Sequence, residues 1–278
     1  MKKICIIGWP VSHSRSPLIH NYWIRKYAID AVYEKTEVRP EDIISFISGF
    51  QAAGWTGCNV TVPHKETVCA ALSNMDPSAR RLGAVNTLYI SDGKLRGTNT
   101  DGEGYLASLL QAYPNFDFRG ARIVVLGAGG AAKAIIGALS DRGVQTITVL
   151  NRSKDRVAGL QKQFGPQIRP GNPQGNANSD LQCDLFINAT SLGMSGQPPL
   201  EFDLGGLPQA AIVSDIVYSP LETPLLKLAR ARGNPTLGGL GMLLHQAVRG
   251  FELWFGVRPE VTSELYELVA ADVSKAQA

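Results

Sequence analysis

Three short stretches place chemically competent side chains where a fold could bring them to a ligand. In NVTVPHK, residues 59–65, a β-branched strand pattern ends in polar groups and a cation. Strand alternation puts Asn59 and Thr61 on one face and Val60 and Val62 on the other. Pro63 suits the first turn of a helix, which His64 and Lys65 would open. A helix start carries partial positive charge and disfavours a further cation. Lys65 is therefore either a solvated surface lysine, with Thr61 bordering a turn, or a group held for proton transfer. Asp101, in TNTDGEGY, is by local pattern as readily a helix N-cap as a functional acid. In SHSRSPLIH, Ser16 caps a helix whose first turn begins at Pro17, and Arg15 points to solvent. Ser14 and Ser16 beside the N–H groups of a helix start would also suit a carboxylate.

A second constellation is Gly127-x-Gly129-x-x-Ala132, directly after the apolar run ARIVVL and directly before a helical pattern. In that context Gly127, Ala128, Gly129, Gly130 and Ala131 read as the Rossmann turn. Its glycines permit a tight bend and close backbone approach, and the helix N-terminus faces a pyrophosphate. A NAD site places an acid about 20 residues further on, against the ribose. Here the strand QTITVL is followed by Asn151, Arg152 and Ser153, with Arg156 nearby, a set suited to a ribose 2′-phosphate. NADP(H) is the expected cofactor. Asp155 could instead face the ribose, and Lys154 and Arg156 could be a solvated helix face.

The elements that must position these groups alternate. KKICIIG, PLIHNYWIRKYAI, VYEKTEV, PEDIISFISGFQAAG, GCNVTV and HKETVCAAL read as strand and helix in turn, predicting a mainly parallel, helix-covered sheet. Two short strands flank Ser91-Asp92-Gly93, a hairpin turn, so that sheet should be mixed. After DGEGYLASLLQAY and the link PNFDFRG, a second alternating series runs through QTITVLN, SKDRVAGLQKQF, CDLFINAT, AIVSDIVY and TPLLKLARARG, as in a doubly wound sheet. Thr223 before Pro224 reads as a helix cap. The loops PGNPQGNANSD and LGMSGQPPLEFDLGGLP read as surface connections. Near the C-terminus, Leu243, Ala247, Phe251 and Trp254 form a helical apolar stripe.

With 278 residues, the chain is long enough for two domains. A formal charge of +3, with no like-charge run beyond pairs such as Arg25-Lys26, gives no nucleic-acid footprint. Cys5, Cys58, Cys69 and Cys183 lack Cys-x-x-Cys spacing and read as reduced core thiols. MKKICIIGWP is unlike a signal peptide, and the glycine-dense run ARIVVLGAGGAAKAIIGAL carries Arg122 and Lys133. A cytoplasmic protein with no membrane and no metal is expected.

The motifs SHSRSP, NVTVPHK, GAVNTL, TNTDG, GAGGAAKA, NRS, NATSLGM, DIVYSPLETPLL and GMLLHQA stand in the order found in shikimate dehydrogenases, and the chain resembles that family from end to end. The resemblance implies an α/β protein: a mixed-sheet substrate domain of residues 1–101 completed by 240–278, and a doubly wound Rossmann NADP-binding domain of residues 102–239. It implies NADP-linked interconversion of shikimate and 3-dehydroshikimate in aromatic amino-acid biosynthesis, by a monomer or homodimer. Lys65 would be the acid/base and Asp101 the partner that orients it. Ser14 and Ser16 would hold the substrate carboxylate, and Asn59, Thr61, Asn86, Tyr218 and Gln246 would address the ring. Thr190, Ser191, Ile216 and Gly239 would lie beside the cofactor. Taken alone, Asn86 would be a turn amide, Tyr218 a half-buried strand aromatic and Gln246 the border of a helix stripe. The family's usual DGLGML is GGLGML here, with Gly238 in place of the acid. The rival readings are a quinate/shikimate dehydrogenase with broader substrate or NAD use, and a non-catalytic nucleotide-sensing protein on the same fold.

Overall fold

The computed structural model describes residues 1–172 and 181–276. In chain order, the first elements are β1 (Lys2–Gly8), α1 (Ser16–Lys26), β2 (Ala31–Glu37), α2 (Ile43–Gly49), β3 (Trp55–Val60), α3 (Lys65–Ala71), α4 (Pro77–Leu82), β4 (Thr87–Ser91) and β5 (Lys94–Thr98). The strands form one sheet in the order β2-β1-β3-β4-β5. β1 runs parallel to both β2 and β3, whereas the β4–β5 hairpin is antiparallel and joins β3 through β4. Asp92 and Gly93 turn that hairpin, both with positive φ, 53° and 69°. Such a pair gives a turn whose twist matches the strands it joins.

Next come α5 (Asp101–Ala112), β6 (Arg122–Leu126), α6 (Gly130–Ser140), β7 (Thr146–Leu150), α7 (Lys154–Phe164) and β8 (Ile168–Gly171). They are followed by β9 (Leu185–Asn188), β10 (Ile212–Asp215), α8 (Pro224–Ala231), β11 (Thr236–Leu237), α9 (Leu240–Phe255) and α10 (Ser263–Lys275). The second sheet is parallel throughout, in the order β11-β10-β9-β6-β7-β8. Strand order reverses between β6 and β9, the switch point at which doubly wound sheets bind ligands. By contacts, Met1–Asp101 with Leu244–Val269 makes one compact unit, and Gly102–Leu243 with Ala270–Ala278 makes the other.

In the first unit, the C-terminal part of α9 seals one sheet face. Trp254 Nε1 donates to the Leu88 carbonyl at 2.8 Å. A Cβ on Gly57 would lie 2.2 Å from that indole, so this strand residue must be glycine for the ring to reach the sheet. Phe251, Trp254, Trp23 and Tyr33 are buried around His20. The buried stripe on α9 is Leu240, Leu244, Ala247, Phe251 and Trp254, with Leu243 only half-buried. The sequence places Leu243 in the stripe, but the spacing from Ala247 back to Leu244 wins.

Four other expectations change. β3 ends at Val60, and Val62 is 70% exposed next to a cis Val62–Pro63 bond, so Val60 and Val62 do not share a buried face. Pro63 then belongs to the turn before α3, not to its first turn. The loop LGMSGQPPLEFDLGGLP is no mere surface connection, because Leu204 and Leu207 are buried and Leu200 and Phe202 pack on the same core. Pro170 and Gly171 of the other loop are strand residues in β8, while its residues 173–180 lie outside the described ones. All four cysteines are free and buried, as expected of core thiols.

Candidate active site

Lys65 is the first residue of α3, behind the non-helical turn at Thr61–His64. Its main-chain oxygen accepts the Val85 N–H at 2.9 Å, which ties α3 to the segment that carries Asn86 and leads into β4. Its ammonium lies 2.6 Å from Asp101 Oδ2. The pair is mostly buried, with 26% and 12% of the side chains exposed. Asp101 opens α5, yet it does not cap the helix with its own carboxylate. Asn99 accepts the Asp101 N–H at 3.1 Å, freeing the acid for other partners. The second oxygen, Oδ1, accepts from Asn86 Nδ2 at 2.8 Å. A two-oxygen acceptor is thus held by one amide and one ammonium, leaving little freedom to turn.

Asn86 is buried, and its oxygen accepts the Thr100 N–H at 2.9 Å and the Thr87 hydroxyl at 2.9 Å. Asn59 is also buried. Its amide donates to the Asn86 carbonyl at 3.3 Å and Thr87 Oγ1 at 3.1 Å, and its oxygen takes the Tyr33 hydroxyl at 2.6 Å. Thr61 is half-buried just past the strand, with its N–H on the Ile7 carbonyl at 2.9 Å.

At α1, Ser16 is not the cap. Ser14 Oγ accepts the Ser16 N–H at 3.2 Å, and Ser16 is the first helical residue and is buried. The N–H groups that a cap must serve begin one residue earlier than the Pro17 signal suggests. Arg15 is half-buried and donates to the His13 carbonyl at 2.7 Å, so it does not simply point to solvent. The first unit therefore gathers Lys65, Asp101, Asn86 and Asn59 into linked hydrogen bonds, while Ser16 is buried at the start of α1 and Gln246 sits half-buried on α9.

In the second unit, the loop after β6 bends at Gly127 with φ 109°. A Cβ there would lie 2.9 Å from Thr190 and 3.1 Å from the Ala189 carbonyl, so the loops after β6 and β9 meet at the switch point. Gly129 and Gly130 are exposed, and a Cβ on either would touch no protein atom within 4 Å. Side chains at these positions would fill open space in front of the α6 N-terminus, where a pyrophosphate needs room. Ala128 in this loop and Ala131 in the first turn of α6 are half-buried. Beyond β7, Asn151 Nδ2 donates to the Ser153 carbonyl at 3.0 Å, and Ser153 caps α7 by accepting the Arg156 N–H. Arg152, Arg156 and Asp155 are exposed. These residues fit a phosphorylated dinucleotide.

Thr190 donates to Asn188 Oδ1 at 2.7 Å and accepts the Leu192 N–H at 3.1 Å; Ser191 is exposed. Ile216 and Gly239 are pressed together, since a Cβ on Gly239 would lie 2.1 Å from the Ile216 oxygen. Gly238 differs: the nearest atoms to its Cβ would be at 3.7 Å, so the acid usual at this position would be admitted. Tyr218 is half-buried after β10. Thr223 caps α8, as expected, and also donates to buried Asp215 at 2.7 Å. Among the described residues, no group of three potential ligands could hold a metal, and no helix is long and apolar enough to cross a membrane.

Comparison with known proteins accords with this geometry. Residues 6–88 match the shikimate dehydrogenase substrate binding domain, 109–192 the shikimate/quinate 5-dehydrogenase family, and 239–263 the shikimate 5′-dehydrogenase C-terminal domain. A shikimate dehydrogenase (NADP(+)) of Rhodopseudomonas palustris is 50% identical over 275 residues, covering 97% of this chain and 96% of the relative. The chain belongs to the shikimate dehydrogenase family. Another member, from Azorhizobium caulinodans, is 46% identical over 99% of this chain and 98% of its own. Among solved structures, shikimate 5-dehydrogenase from Thermus thermophilus, in complex with NADP(H) and shikimate, superposes with TM-score 0.86 at 32% identity, covering 98% and 100% of the two chains. Quinate dehydrogenase from Corynebacterium glutamicum, in complex with NAD, gives 0.89 at 31%, covering 97% and 99%.

Three buried groups of this shikimate dehydrogenase family member escaped the sequence reading. Tyr33 and Thr87 bond to the candidate site residues Asn59 and Asn86. Asp215 sits at the end of β10, where burial raises its pKa against the donors Thr223, Val217 N–H and Asn188. Each is a polar side chain in a strand, and its partners come from other segments of the fold that local sequence pattern does not reveal.

Proposed function

We propose that the chain interconverts shikimate and 3-dehydroshikimate with NADP(H), using Lys65 for proton transfer and Asp101 as its partner. The observation that carries the reading is the 2.6 Å contact between Lys65 Nζ and Asp101 Oδ2 on a cluster of oriented amides. The first unit carries the substrate and the second the dinucleotide. Ser14 and Ser16 take the carboxylate, Asn59, Thr61, Asn86, Tyr218 and Gln246 address the ring, and Arg152 with Ser153 and Arg156 receives the 2′-phosphate.

NADPH, held at the Gly127–Ala131 turn and by Arg152, would supply a hydride to the ketone carbon. The ketone oxygen then gains negative charge, and a donor within hydrogen-bond reach lowers the barrier. Lys65 delivers a proton to that oxygen as the alcohol forms; in the oxidative direction its neutral amine takes the hydroxyl proton. Asp101 holds the amine in place and stabilises its ammonium charge. Asn86 holds Asp101. Thr190, Ser191, Ile216 and Gly239 border the nicotinamide half, and the Gly127–Ala131 loop the pyrophosphate.

A substrate panel with both cofactors tests the reading. Shikimate with NADP should give the highest kcat/KM. Equal activity with quinate and NAD would favour the broader quinate/shikimate reading, and tight NADP binding without turnover of either acid would favour a nucleotide sensor.

A further inference from the structure

Beneath the Lys65–Asp101 pair, a chain of hydrogen bonds runs with a single polarity. Tyr33 donates to Asn59 Oδ1 at 2.6 Å, and Asn59 Nδ2 donates to Thr87 Oγ1 at 3.1 Å. Thr87 then donates to Asn86 Oδ1 at 2.9 Å, and Asn86 Nδ2 to Asp101 Oδ1 at 2.8 Å. All five residues are buried, Thr87 completely.

The direction follows from the main chain. The Thr100 N–H can only donate, so the Asn86 atom it reaches at 2.9 Å is the oxygen. The Asn86 carbonyl can only accept, so the Asn59 atom 3.3 Å away is the nitrogen. Between these two fixed amides stands one hydroxyl with one proton. Because Asn59 donates into Thr87, the Thr87 proton goes to Asn86. At the far end, burial holds the Tyr33 phenol well above its ordinary pKa, and it stays a donor.

We infer that Thr87 is a positioning residue whose hydroxyl, as a second donor beside the Thr100 N–H, holds Asn86 with its N–H edge toward Asp101, leaving the acid's other oxygen for Lys65. A turned Asn86 amide would set its oxygen against a carboxylate oxygen, and the resulting repulsion would push Asp101 out of line with the amine. The role rests on the reading of Lys65 and Asp101 as the proton-transfer pair.

Thr87 also has an apolar side, its methyl turned toward Gly250, where an added Cβ would lie 3.5 Å away. The two functions separate by substitution. Thr87→Val keeps the methyl and loses the hydroxyl; Thr87→Ser does the reverse. The test compares kcat and KM for shikimate with NADP, and hydrogen exchange of the Asn86 side-chain amide by NMR, in wild type and both variants. Thr87→Val is expected to lower kcat about 10- to 100-fold, to leave KM within about threefold, and to speed Asn86 exchange. Thr87→Ser should keep wild-type kcat and slow exchange. The opposite order, a damaged Ser variant and an intact Val variant, marks a packing residue and overturns the assignment. If Thr87→Val does not fold, Tyr33→Phe cuts the chain at its far end: faster Asn86 exchange with a roughly threefold lower kcat supports the role, and unchanged values refute it. If wild type does not turn over shikimate while Asn86 exchange still responds to Val and not to Ser, the proton-transfer reading falls and the orientation of Asn86 by Thr87 stands.

Discussion

Lys65 Nζ lies 2.6 Å from Asp101 Oδ2 although 36 residues separate the two in the chain. The pair closes a contact between the start of α3 and the start of α5, and both side chains are mostly withdrawn from solvent. Lys65→Ala should lower kcat by about 10²- to 10⁴-fold with a smaller change in KM, because a positioned acid/base acts mainly in the transition state. Steady-state kinetics in both directions checks this. Near-normal turnover in that variant would remove Lys65 from the chemistry.

Arg152 stands exposed immediately beyond β7, with the Ser153 cap holding the helix behind it. A guanidinium there recognises a phosphate that NAD lacks. Arg152→Ala should raise KM for NADP about tenfold or more and leave KM for NAD nearly unchanged. A wild type that prefers NAD would refute the assignment of the 2′-phosphate to this arginine.

Gly239 and Gly238 are neighbours with opposite tolerance. An alanine at 239 would drive a methyl to 2.1 Å from the Ile216 oxygen, whereas at 238 the nearest atoms are 3.7 Å away. Backbone must move in the first case only. Gly239→Ala is expected to destabilise the fold by about 1–3 kcal/mol and to weaken cofactor binding. Gly238→Asp should melt within a few degrees of wild type. Thermal unfolding of the two variants side by side decides it; equal stability would show that the 239 backbone yields freely.

His20 stacks on Tyr33 with ring centroids 4.4 Å apart. Burial pushes its pKa from 6.5 down to about 3, only partly opposed by the Asn59 side chain. Between those values the unfolded chain binds the proton and the folded one does not. The stabilisation is therefore complete above the unfolded pKa and is lost as pH falls toward the folded one, by about 1.4 kcal/mol per unit. Urea titrations should show wild type losing roughly 2 kcal/mol more than His20→Phe between pH 7 and pH 5. Identical losses would mean that the imidazole is charged in the native state.

Local signals were legible where the chain's own geometry decides the outcome. The Asp92-Gly93 turn, the bend at Gly127 and the Thr223 cap each depend on a few neighbouring residues. Reading failed where a distant partner decides. Ser16 looks like a cap by its position before Pro17, yet Ser14 accepts its N–H and Ser16 is buried as the first helical residue instead. Asp101 looks like a cap too, but Asn99 serves its N–H and frees the carboxylate. Thr87 offers no pattern at all, because its significance comes from Asn59 across the β3–β4 pairing. The two-residue β11 has no periodicity to detect; it forms because β10 provides a parallel edge. Leu204 and Leu207 were hidden by glycine and proline neighbours that suggest a solvated loop.

The seal of Trp254 over Gly57 also fixes an order of events during synthesis. When the first hundred residues leave the ribosome, Gly57 and the α1 aromatics Trp23 and His20 lack the indole of Trp254. The aromatic lid is translated about 150 residues later, after the strands of the parallel sheet. The usual sequence, in which the N-terminal region matures first, thus leaves this patch of the first sheet without its indole until residue 254 has been made.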